Sequence, residues 1–95
     1  MRFSEVQSPV PNSRMWVSKT GHYSFVIMQE MDPGAEEWVG YTATWKDRTK
    51  DMRPFGVVGY PRGTQPINRI GGVWGTFAEA ESACELVLRA LRMRQ

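Results

Sequence analysis

Residues 73–93, VWGTFAEAESACELVLRALRM, decide the fold. Thr76 is a good N-cap and Glu79 stands three positions on. Thr76–Glu79 thus fits the capping box, in which each end satisfies an orphan backbone donor of the other. Beyond the cap, Phe77, Ala80, Ala83, Cys84, Val87, Leu88 and Leu91 recur at spacings of three and four. That spacing places them on one face of an amphipathic helix. Glu79, Glu81 and Glu85 lead and Arg89, Arg92 and Arg94 trail, the order the helix macrodipole favours, and Glu85 with Arg89 makes an i,i+4 pair. A helix with one apolar stripe needs a partner surface, and the upstream residues supply a sheet.

Upstream, His22–Met31 is rich in β-branched and aromatic residues, with Tyr23, Phe25 and Ile27 alternating against Ser24, Val26 and Met28. One face is strongly apolar and the other mixed. Asp32-Pro33-Gly34 is a turn signal, after which Trp38–Trp45 returns with Val39, Tyr41, Ala43 and Trp45 on the expected core face. Met15–Lys19 is a shorter run ending at Thr20-Gly21. Residues 1–14 hold Pro9 and Pro11 and read as an N-terminal arm, either docked through Phe3 and Val6 on the core or on a second subunit, or a loosely ordered terminus. Residues 46–68 are rich in Pro and Gly, with Phe55–Tyr60 as a short edge strand. Arg69–Trp74 forms the last strand, its Gly71 and Gly72 marking a bulge or a close backbone approach. The reading is an α+β fold: an antiparallel sheet of three or four strands packed on one C-terminal helix, β-β-β-α, with residues 15–95 as a single domain.

Composition narrows the class. The chain has 95 residues, 41% hydrophobic and 23% charged, which fits one small globular domain. Met1–Glu5 lacks the apolar core of a signal peptide, and no run is long and apolar enough to span a membrane. The expectation is a cytoplasmic protein without membrane association. A formal charge of +2 is too small to imply a polyanion partner, so its distribution matters more. Glu30, Asp32, Glu36 and Glu37 make the central turn acidic, whereas Lys46, Arg48, Lys50, Arg53, Arg62 and Arg69 make the following segment basic.

Catalytic chemistry has little material. His22 is the single histidine and begins a strand, and Cys84 is the single cysteine, set within the helix stripe where burial blunts a thiol. One His and one Cys furnish no zinc site, and Asp32, Glu36 and Glu37 lack calcium-loop spacing. Gly56, Gly59 and Gly63 near Arg62 read as turn glycines, since no Gly-Lys-Ser/Thr ending follows. The expectation is a non-enzyme with no catalytic residue, cofactor or metal. Four tryptophans and an aromatic content of 12% exceed what one small core needs and favour a binding surface.

The entry Gly72-Val73-Trp74-Gly75-Thr76-Phe77 and the helix start Ala78-Glu79-Ala80-Glu81-Ser82-Ala83 resemble those of the three-strand-plus-helix DNA-binding domains of plant ethylene-response factors and the arm-binding domains of phage-type integrases. The similarity runs from Val73 to Leu88 and extends to small bacterial domains of unknown function. It implies a helix packed behind a sheet whose outer face reads DNA. The strands at 22–31 and 37–45 carry no row of arginines, so architecture alone is carried over. The leading functional expectation is a small non-enzymatic binding or interaction module, a homo-oligomer or accessory subunit, with Phe3, Trp16 and Trp38 as protein contacts. The alternative is nucleic-acid binding through Trp45, Lys46, Arg48, Lys50, Arg53, Arg62 and Arg69, where bases neutralise phosphates and an aromatic stacks on a base.

Overall fold

The computed structural model describes residues 1–31, 38–49 and 67–94. They form five strands, β1 (Ser4–Val6), β2 (Arg14–Thr20), β3 (Tyr23–Met31), β4 (Trp38–Asp47) and β5 (Asn68–Arg69), followed by one helix, α1 (Phe77–Met93). The strands lie in a single antiparallel sheet in sequence order. The α+β class is as the sequence indicates, with five strands rather than three or four.

The additional strands have physical causes. Residues 4–6, expected in an arm, pair with β2 in the register Ser4↔Val17, Glu5↔Trp16 and Val6↔Met15. Arg14 locks this pairing, donating from Nε and Nη2 to the two Glu5 carboxylate oxygens at 2.8 and 2.9 Å. Phe3 meets Phe77 edge to face at 5.9 Å between centroids. The last strand is shorter than Arg69–Trp74: β5 spans two residues, and the chain rejoins β4 at a Tyr41↔Trp74 bridge. Between them Gly71 has φ +64, and a Cβ there would fall 2.6 Å from Cζ2 of the Trp74 indole. The indole Nε1 donates to the Ile70 carbonyl at 3.1 Å. The expected edge strand Phe55–Tyr60 lies outside the described residues.

Parity along the strands sorts the two faces. Phe25, Ile27, Ala43, Ile70 and Tyr23 are buried on one face, where Ala80, Ala83, Cys84, Leu88 and Leu91 of α1 meet them. Small residues at the centre, Ala43 and Ala80, both without exposed area, let helix and sheet approach closely. Burying a side chain such as Phe25 or Ile27 stabilises the fold by about 1.5–3 kcal/mol. The helix begins with the N-cap half of the expected capping box, the Glu79 N–H donating to Thr76 Oγ1 at 3.1 Å. No described helix is long and apolar enough to cross a membrane.

Candidate interaction surface

The cross-strand register builds a second face opposite the helix. Three rows cross it. One joins Lys19, Ser24 and Lys46; the next Ser4, Val17, Val26, Thr44 and Arg69; the third Val6, Met15, Met28 and Thr42. Glu30, opposite Gly40, closes the far end of β3. Met15, Val17, Val26, Met28, Thr42 and Thr44 are half-buried, while Val6, Lys19, Glu30 and Arg69 are exposed. Among the described residues, no helix packs on these apolar side chains and none of them joins the core cluster. The centre of the face is therefore apolar, with bases toward one end and an acid at the other.

Its polar groups are incompletely matched. Ser24 is buried, and its Oγ has no hydrogen-bond partner, an arrangement that costs free energy. The register places Lys19 and Lys46 on either side of it, about 10 Å apart at the backbone. Among the described residues, Lys19, Lys46 and Glu30 form no ion pair; the Glu5–Arg14 pair belongs to the other face.

Of the residues expected to bind nucleic acid, the four described ones, Trp45, Lys46, Arg48 and Arg69, do not share one face of the sheet. Trp45 points to the helix side, against the core and edge to face with Tyr23 at 6.0 Å. Its neighbour Lys46 therefore faces the opposite side. Arg48 ties the end of β4 to the β2–β3 turn, its backbone N–H donating to the His22 carbonyl at 2.7 Å and its guanidinium to the Gly21 carbonyl. Arg69 shares the open face with Lys46 and donates from Nε to the Gly71 carbonyl at 3.3 Å. Lys50, Arg53 and Arg62 lie outside the described residues.

The expected protein anchors are placed differently too. Trp16 stands opposite Ile27 on the helix side, 5.0 Å from the Phe77 ring centroid and 6.2 Å from that of Tyr41, with the Arg14 guanidinium carbon 5.0 Å from its own. Phe3 packs on the same side. Both serve as covers for the core, so neither anchors a partner on the open face. Trp38 begins β4, and its side chain lies outside the described residues. Among the described aromatics, Phe3, Trp16, Tyr41 and Phe77 form one cluster over the helix start. Sequence reasoning missed Met15, Val17, Lys19, Val26 and Met28 as a surface; the signal was the apolar character of the mixed face in both β2 and β3.

The single cysteine and the single histidine do not come together. Cys84 has no exposed area, and desolvation first, then Glu81 and Glu85, push its thiol up to about 12. His22 is exposed in the β2–β3 turn, edge to face with Tyr23, so a core thiol and a surface imidazole make no dyad. No group of three metal-ligating side chains occurs among the described residues. Trp74, Ala78, Glu79, Ser82, Ala83 and Leu86 line a shallow open groove of about 380 Å³ beside α1. Comparisons with protein-family models, curated proteins and solved structures return no match.

Proposed function

We propose that this protein is a small non-enzymatic interaction module whose contact surface is the open face of the sheet. The observation that carries this reading is the set Met15, Val17, Val26 and Met28, contiguous across β2 and β3 and outside the core cluster. Apolar residues gathered on one sheet face, with charges at the margins, have the anatomy of an interface centre with a polar rim. The test compares adjacent residues of β3. Ile27→Lys buries an unpaired charge and abolishes the cooperative melt. Met28→Lys leaves circular dichroism and melting close to wild type but eliminates association with the partner. Undiminished association of the Met28→Lys protein would refute the assignment.

The alternative, nucleic-acid binding, is favoured by one observation: Lys19, Lys46 and Arg69 share this face. It predicts affinity for nucleic acid that falls steeply with salt and weakens on reversing Lys19 and Lys46. Trp45, packed on the opposite side, takes no part in that contact.

A further inference from the structure

We infer that the partner on the open face is a second copy of this chain, packed face to face with its strands antiparallel to those of the first. The inference rests on the open face being the contact surface, and it adds the occupant and the geometry.

The argument comes from the register. Along β3 the open-face residues run Ser24, Val26, Met28, Glu30, so the basic and acidic ends are about 20 Å apart. A two-fold axis between the sheets, across the strands at the level of Ile27, sets β3 over β3 of the second copy. It superposes the row of Ser24 on the row of Glu30, and the row of Val26 on that of Met28. On the three central strands the positions of these two rows then match chemically. Val26 faces Met28 of the second copy, Val17 faces its Met15, and Thr44 faces its Thr42. Glu30 comes over Ser24 of the second copy, between that copy's Lys19 and Lys46. The Glu30 carboxylate, which forms no ion pair among the described residues, thus meets two ammonium groups, and symmetry makes the contact twice. A two-fold interface must be self-complementary, and facing sheets lie about 10 Å apart with strands nearly aligned, a gap that a Glu and a Lys side chain span together. Turning the axis along the strands would instead bring Glu30 onto Glu30 and the bases onto each other. The charge pattern therefore selects the antiparallel arrangement. A face about 20 Å on a side buries about 800 Å² over the two copies, below the range of stable specific interfaces and within that of weak transient ones, so the dimer is a weak one, to be sought at hundreds of micromolar protein.

Sedimentation velocity of the full chain over a concentration series, with charge-swapped variants, tests this. Wild type sediments as a concentration-dependent dimer. Glu30→Lys alone, and Lys19→Glu with Lys46→Glu, each weaken dimerisation at least tenfold while keeping the wild-type melting profile, since their side chains lie on the surface sheet face. An equimolar mixture of the two variants restores it, because both ends of a mixed pair are again complementary. Restoration is the outcome a general loss of stability does not produce. Wild type that stays monomeric at the highest concentration overturns the inference, as does a mixture that fails to recover. If the chain is monomeric but Met28→Lys abolishes capture of a different protein, the second copy is excluded and the module reading stands. Salt-sensitive binding to nucleic acid, lost with the lysine swaps and indifferent to Glu30→Lys in a monomeric chain, overturns both.

Discussion

Gly40 in β4 has φ +150, and a Cβ added there would stand 2.5 Å from Val73 Cγ1 and 2.8 Å from the Trp74 carbonyl oxygen. The oxygen is held in place, because Trp74 and Tyr41 exchange backbone hydrogen bonds of 2.7 and 2.9 Å. Gly40→Ala should therefore separate the segment before α1 from the sheet and cost about 1–3 kcal/mol, read as a lower melting temperature. Cys84 yields a second prediction at this scale. A thiol without exposed area and with a pKa raised to about 12 stays protonated at neutral pH. Iodoacetamide should leave the native protein unmodified and alkylate it only on unfolding. Alkylation at the rate of a free cysteine would contradict the packing of α1. The burial of Cys84 was legible in the helix stripe, whereas Gly40 gave no sign, since its constraint comes from a segment more than thirty positions away in sequence.

The elements differ in how much of each is local. For α1 the capping box, the charge order and the 3.6-residue stripe all sit within the helix, and they were readable for that reason. Thr76→Ala removes the hydrogen bond to the Glu79 N–H and should cost about 1 kcal/mol, a fall of about 4–8 °C in melting temperature for a domain of this size. Strands β3 and β4 were readable from alternation, but β1 was not. Pro9 and Pro11 make its surroundings look like an arm, and the pairing depends on long-range contacts, the Glu5–Arg14 fork and Phe3 on Phe77. Hydrogen bonding from Arg14 lowers the Glu5 pKa. A depressed carboxyl pKa contributes stability that is present above the unfolded value, about 4.3, and lost as pH falls through the folded value. Amide exchange of residues 4–6, corrected for intrinsic rates, should accelerate at pH 3 relative to pH 6, while β3 stays protected. Equal protection at both pH values would show that the ion pair does not hold β1.

For the whole molecule, the deciding fact is which face each strand residue takes. Sequence alternation separates two faces within a strand, and the apolar one was correctly expected to meet the helix in β3 and β4. The aromatic count, however, is silent about parity. Trp16 sits opposite Ile27 and Trp45 opposite Phe25, which commits both to the helix side and leaves the opposite face to Val, Met and Thr. Parity likewise separates Trp45 from Lys46, neighbours in sequence on opposite faces of the sheet. What remains is an apolar sheet face with opposite charges at its ends, and the account stands on its being an interface between two copies of this chain. Met15 and Met28 lie on that face, whereas Met93, 81% exposed, lies near the end of α1. Methionine oxidation by peroxide, resolved by mass spectrometry at low and high protein concentration, tests the claim most directly. Slow oxidation of Met15 and Met28 at high concentration, faster on dilution, with Met93 oxidised rapidly throughout, is the predicted result. Oxidation of Met15 and Met28 at one rate across the concentration series would contradict it.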